Sequence, residues 1–245
     1  LLSNPGVRHN VQETYHAMMA ARARVLSNST VDALRTWAVE TDVVHLARMS
    51  AAQQAAALYG ATLAAIKLRD YKEAQAKWSR LTDNVRNDAP ASRLARLLGV
   101  ELWLARGDGA AALALLPDAN EKSAKLSRAE LFFAAQAKLQ MGAKEPAASI
   151  TQNLQAWVAD HPRDAQAWQL LGTAYAVEGR TLSSIRAQAE VNVAQLDYPA
   201  ALSRFKTAQE WARKGGAGTD HFEASIVDTR TRQVESLVRE QALER

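Results

Sequence analysis

The sequence predicts an all-α chain, a solenoid of stacked antiparallel helix pairs closed by a long carboxy-terminal helix. Three observations lead there. Alanine supplies 50 of the 245 residues, against only 11 glycines and 6 prolines. Alanine is the best helix former and lets helices approach closely. Apolar residues recur at helical spacing. The helical segments also restart after turns at intervals of about 38, 35 and 37 residues, the signature of a repeat architecture.

Composition excludes several classes. There is no cysteine, so there is no disulfide framework, thiolate zinc site or cysteine nucleophile. Thirty basic against 26 acidic residues leave a net charge of +4, a mild balance for a dedicated nucleic-acid binder. No apolar run approaches the ~20 residues of a transmembrane helix. The chain opens Leu1-Leu2-Ser3-Asn4-Pro5, with no initiator Met and no export signal. Either a leader has been removed or the chain is a piece of a longer protein, and the piece is the expectation.

The elements follow in order. Residues 1–50 form amino-terminal helices leading into the solenoid. Residues 7–27 read as one helix, broken at Ser27-Asn28-Ser29. Thr30 or Asp32 caps a short helix through Glu40. Residues 51–213 hold the repeats, at about 51–86, 91–118, 127–160 and 164–213. In each, a small residue stands where the second helix crosses the first. These are Ala74 after Asp70-Tyr71, Ala112 after Gly107-Asp108, Ala147 after Met141-Gly142, and Ala201 after Asp197-Tyr198. Pro162 stops one helix, and Asp164 is suited to cap the next. The last turn falls out of phase, so 182–195 serves as second helix of one pair and first of the next.

Lys214-Gly215-Gly216-Ala217-Gly218 is the clearest break in the chain. Residues 219–245 then form the capping helix, started by Thr219 or Asp220. Phe222, Ile226, Val227, Val234, Leu237 and Val238 make its apolar stripe. Arg230, Arg232, Glu235, Arg239 and Glu240 make the charged outer face that a terminal repeat needs.

One segment carries a family signature. Trp168-Gln169-Leu170-Leu171-Gly172-Thr173-Ala174-Tyr175 matches W-x2-L-G-x2-Y, the first-helix pattern of the tetratricopeptide repeat. Trp168, Leu171 and Tyr175 lie on one helical stripe, and Gly172 supplies the small contact for the crossing helix. The chain thus resembles a tetratricopeptide-repeat solenoid.

Catalytic motifs were sought among the polar residues. No H-E-x-x-H, nucleophile elbow or phosphate loop is present in the sequence. His9, Glu13 and His16 lie within about 60° on one helix face. They could hold zinc or iron, but a solvated face is the simpler reading. His161 and His221 read as turn and cap residues. The six tryptophans (37, 78, 103, 157, 168 and 211) read as wedges between helices. No catalytic, cofactor or metal residue is assigned to this chain.

What remains is the concave surface of first helices. The groove-facing positions are Tyr59, Leu63 and Lys67; Leu97 and Glu101; Phe132, Gln136 and Gln140; and Gln169 and Thr173. This apolar, amide-rich set suits an unfolded or extended polypeptide better than a phosphorylated or highly charged tail. Leu97 and Phe132 read equally well as inter-repeat core.

A second resemblance rests on longer stretches. The helix Tyr15-His16-Ala17-Met18-Met19-Ala20-Ala21-Arg22-Ala23-Arg24-Val25-Leu26 resembles the one that follows the protease domain in periplasmic zinc metallopeptidases of the β-barrel-assembly-enhancing (BepA) type. Ile185-Arg186-Ala187-Gln188-Ala189-Glu190 and Leu196-Asp197-Tyr198-Pro199-Ala200-Ala201 resemble their last repeats. Ile226-Val227-Asp228-Thr229-Arg230-Thr231-Arg232-Gln233 is similar to their final helix. The resemblance implies the carboxy-terminal repeat domain of such an enzyme, exported to the periplasm. It implies binding of an outer-membrane protein substrate or the barrel-assembly machinery, beside the protein's own protease domain. Zinc is expected in that protease domain, not in this chain. The alternative is a free-standing repeat adaptor for cell-envelope assembly, periplasmic or cytoplasmic.

Overall fold

The computed structural model describes residues 5–39, 46–117, 126–142, 144–215 and 220–243. Side chains are described from Glu13 onward, and from Ser149 onward in the helix that begins at Lys144. The fold is all-α, with consecutive helices packed antiparallel and a long carboxy-terminal helix. No strand occurs among the described residues. The chain divides into two compact units, Leu1–Pro117 and Asp118–Arg245.

The first unit contains α1 (Pro5–Ser27), α2 (Val31–Val39), α3 (Ala51–Lys67), α4 (Tyr71–Val85), α5 (Ala89–Arg106) and the short α6 (Gly109–Ala114). Each start has a local cause. Thr30 Oγ1 accepts from Ala33 N at 3.4 Å and opens α2. Ser50 and Gln53 form a reciprocal capping box on α3. Asp70, Asp88 and Asp108 accept from the third helical N–H of α4, α5 and α6. The turn before α4 places Arg69 in the left-handed region at φ 61, and the turn before α6 places Gly107 there at φ 90.

α3 is the centre of this unit. It is buried almost all round, from Leu58 through Ile66. It packs against α1, α2, α4 and α5. The core joins Met18 and Val25 of α1, Leu34 of α2, Leu58, Tyr59 and Leu63 of α3, Leu81 and Val85 of α4, and Leu98 and Leu102 of α5. Each such large side chain contributes about 1.5–3 kcal/mol by leaving water. Ala74, expected at a crossing, is fully buried.

The second unit contains α7 (Arg128–Met141), α8 (Lys144–Asp160), α9 (Ala165–Val177), α10 (Thr181–Ala194), α11 (Tyr198–Arg213) and α12 (His221–Leu243). Ser127 and Glu130 box the start of α7. Asp164 caps α9 and Asp197 caps α11. Asp220 accepts from the backbone of Phe222 and Glu223 to start α12. Among the described residues four turns carry a left-handed residue: Gly142 (φ 67), Gly179 (φ 75), Leu196 (φ 63) and Gly215 (φ 63).

The Trp168–Tyr175 stripe folds as its helical spacing requires. Trp168, Leu171 and Tyr175 are all buried. Gly172 faces α10, where an added Cβ would stand 3.4 Å from the Ala187 Cβ. Ser184 Oγ donates to the Gly172 carbonyl at 2.8 Å across the same crossing. Ala112 and Ala201, two more of the expected crossing alanines, are fully buried. Ala147 lies outside the described side chains.

α10 packs against α9, α11 and α12, so it belongs to two neighbouring pairs. Its core partners are Phe205 and Ala208 of α11 and Val227 and Val234 of α12. The capping helix departs from its expected pattern at two positions. Phe222 is 75% exposed and takes no part in the stripe. Arg230, assigned to the outer face, turns inward: its Nε and Nη2 donate to the Glu190 carboxylate at 2.6 and 2.7 Å. Arg186 on α10 pairs through Nε with Oε1 of the buried Glu223 of α12. Two carboxylates buried in an alanine-lined seam require cations, and Arg186 and Arg230 provide them.

Candidate functional site

The ten groove positions separate into a covered set and an exposed set. In the first unit Tyr59 and Leu63 are each only 2% exposed. Helix α1 lies along α3 and reaches α5, the first helices of two successive pairs. It covers the positions expected to face a partner. Tyr59 and Leu63 are therefore unavailable as the structure stands. Periodicity identified their face, but the chain's own helix occupies it.

The contact between α1 and this face is specific. Gly60 faces α1: an added Cβ would stand in ordinary contact, 3.6 Å from the Ala21 Cβ and 3.8 Å from Val25 Cγ2. Arg22 donates from Nη1 to the Tyr59 hydroxyl at 3.1 Å and pairs with Glu101 Oε1 at 2.7 Å. Burial pushes the Glu101 carboxyl above the usual carboxylate range, against the lowering effect of Arg22. Burial also raises the Tyr59 hydroxyl. For Arg22, burial acts to lower the pKa, but Tyr59 and Glu101 outweigh it. The side chain of Lys67 is exposed and Leu97 is half-buried.

The second unit presents a different face. α7 and α9 are neighbours. Arg128, at the start of α7, bonds the Asp164 carboxylate with Nε at 2.7 Å and Nη2 at 2.9 Å. Because Asp164 caps α9, this clamp sets the two amino-terminal ends side by side. Trp157 Nε1 of α8 donates to the same carboxylate at 3.0 Å. The Arg128 guanidinium lies 4.2 Å from the Phe132 ring centroid, and Phe132 is only 5% exposed. Phe132 is thus packed inside rather than offered to a partner.

Gln136 and Gln140 on α7 and Gln169 and Thr173 on α9 are exposed. On each helix they lie within one stripe, since residues three or four apart share a face. Thr173 Oγ1 donates to the Gln169 carbonyl at 3.1 Å. Gln166, one turn earlier on the same stripe of α9, accepts from Arg128 at 3.2 Å. At the amino-terminal end of this face Arg128 and Asp164 neutralise each other. What it exposes is amide and hydroxyl groups, the kinds that bond a peptide backbone.

Other expected sites resolve variously. The His9 side chain lies outside the described residues, so the His9, Glu13, His16 trio is not placed. Glu13 and His16 are exposed, and His16 meets Tyr15 edge-on at 5.8 Å. His161 stacks on Trp157 with ring centroids 4.0 Å apart. Trp78 and Trp168 wedge between helices, with Nε1 bonded to the carbonyls of Ala95 and Pro162. Gly216, Gly218 and Thr219 lie outside the described residues. Among the described residues, no helix is long and apolar enough to cross a membrane.

Sequence reasoning missed two features. One is the Arg22–Tyr59–Glu101 cluster, which joins residues up to 79 positions apart and leaves no local signal. The other is Gly99, where an added Cβ would lie 2.5 Å from the Trp78 ring. Its signal was present: Leu98-Gly99 repeats the Leu171-Gly172 pair, with Ala95 and Leu102 at the aromatic positions.

Comparison with known proteins identifies no family: no family model matches the chain, and no curated protein matches it. Among the described residues the chain is all-helical, with about 12 helices packed in sequential pairs.

Proposed function

We propose that this chain is a protein–protein interaction domain that receives an extended stretch of polypeptide on the face shared by α7 and α9. One observation carries the reading. Two first helices lie side by side and expose Gln136, Gln140, Gln169 and Thr173, while Arg128 and Asp164 at their amino-terminal ends are paired. Amide side chains satisfy backbone N–H and C=O groups whatever the guest's side chains, which suits an unfolded client. The corresponding positions of the first unit are covered by α1, so the exposed face of the second unit is the better candidate.

The sequence resemblance supplies the biological setting of this proposal. The client is an outer-membrane protein on its way to the barrel-assembly machinery, or a segment of that machinery, in the periplasm. The chain does no chemistry itself. It holds the client and controls access to the zinc site of a protease domain in the same protein. A fluorescently labelled outer-membrane barrel protein, diluted from urea, serves as the probe. Gln136→Glu combined with Gln169→Glu is expected to weaken its binding at least tenfold at unchanged helicity. Unchanged affinity would place the binding surface elsewhere.

A further inference from the structure

We propose that α1 is a detachable resident of the α3–α5 face, and that this face accepts in its place a partner helix carrying an arginine. The inference concerns the first unit and stands apart from the client-binding face of the second.

The composition of the contact leads to it. From Glu13 to Ser27, α1 buries only Met18, Ala21 and Val25. One of these three offers a single methyl group. α3, by contrast, is buried continuously from Leu58 through Ile66 and keeps α2, α4 and α5 as partners when α1 is away. The outward side of α1 is more open: Tyr15, Met19 and Leu26 are 37%, 38% and 48% exposed, and Arg24 lies 5.4 Å from the Trp37 ring of α2. The link to α2, residues 28–30, is wholly exposed.

The polar cluster sets what the face recognises. Glu101 and Tyr59 converge on one guanidinium, that of Arg22. The pair is partly buried, with side chains 28% and 21% exposed, and a pair so shielded sets register and partner choice more than it adds stability. Lys67 of α3 also acts on Glu101, but Arg22 is the cation that bonds it, so a competing helix that covers the carboxylate brings a cation of its own. Ala21 is only 4% exposed against this face, so the recognised helix carries a small residue there. The recognised helix therefore has an apolar residue, a small residue three positions on, an arginine next to it, and an apolar residue three further. In this chain these are Met18, Ala21, Arg22 and Val25.

A cysteine-free chain makes the test direct. Ala21→Cys with Gly60→Cys places two Cβ atoms about 3.6 Å apart, within disulfide range. Oxidised, the variant holds α1 in place; reduced, it leaves α1 free to open. The probe is a fluorescent synthetic peptide of residues 5–27. It is expected to bind the reduced variant and the wild-type chain, and to bind the oxidised variant at least tenfold more weakly. A peptide with Arg22→Ala should lose at least tenfold on the wild-type chain. Equal binding to oxidised and reduced protein, or no binding to either, overturns the proposal. Hydrogen exchange on the unmodified chain gives an independent reading that needs no variant. Amides of α1 should open at least 100-fold more often than those of α3. Equal opening would make α1 an ordinary part of the core and refute the inference.

Discussion

Asp164 joins three helices, and its replacement tests the packing of the second unit quantitatively. Its carboxylate caps α9 through the Ala167 N–H at 3.2 Å, receives both Arg128 bonds from α7, and accepts from Trp157 of α8. Replacing it with alanine removes the cap, about 1 kcal/mol. It leaves the half-buried Trp157 N–H without its acceptor, about 1 kcal/mol more. The Arg128 pair adds about 0.5–1 kcal/mol, because the Arg128 side chain is 49% exposed and solvent screens it. Asp164→Ala should therefore cost about 2–3 kcal/mol. Asp164→Asn keeps one oxygen for the cap but turns an NH2 group toward the Arg128 and Trp157 donors, and should cost about 1–2 kcal/mol. The pH dependence follows from the same contacts. Hydrogen bonds from Arg128 hold the carboxyl at about 2, against an ordinary 3.8. A depressed carboxyl stabilises the fold fully above its unfolded pKa, and that contribution is lost as pH falls from about 4 toward 2. Urea unfolding followed by circular dichroism measures both effects. A loss under about 0.5 kcal/mol for Asp164→Ala at neutral pH, or an equal acid sensitivity in that variant, would refute the reasoning.

Three other substitutions probe separate joints. Gly99→Ala forces a methyl to 2.5 Å from the Trp78 ring and should cost about 1–3 kcal/mol, whereas Gly172→Ala meets Ala187 at 3.4 Å and should cost less. Paired urea midpoints give the order. Leu196→Gly relieves a left-handed residue at φ 63 whose side chain is 59% exposed, and should raise stability by about 0.5–1 kcal/mol in thermal unfolding. Arg230→Ala strands the buried Glu190 carboxylate and should cost about 2–3 kcal/mol. Arg232→Ala on the exposed side of α12 is its control, expected within about 0.5 kcal/mol.

Much of the fold is legible in the sequence because its determinants are local. Asp70, Asp108, Asp164 and Asp197 each precede a helix and each caps it. Trp168, Leu171, Gly172 and Tyr175 state which side of α9 is inside and where α10 crosses. The candidate site is less legible, because a face and its neighbour are different questions. Helical spacing puts Tyr59 and Leu63 on one side of α3, but nothing nearby says that α1 returns to cover it. Phe132 is hidden by Arg128 from its own first turn, a contact whose geometry depends on Asp164, 36 residues away. Arg230 reads as an outer charge until Glu190 is found buried opposite it. Long-range charge pairing decided each of the last two, and no periodic pattern encodes it.

The proposed function turns on where a client touches the chain. A photo-crosslinking residue is placed in turn at Gln136, Gln169, Arg80 and Arg232, all exposed positions. The chain is then irradiated with an unfolded outer-membrane barrel protein diluted from urea. The account predicts adducts from Gln136 and Gln169 on the α7–α9 face and none from Arg80 or Arg232. Adducts from Arg80 or Arg232 but not from Gln136 and Gln169 would contradict it.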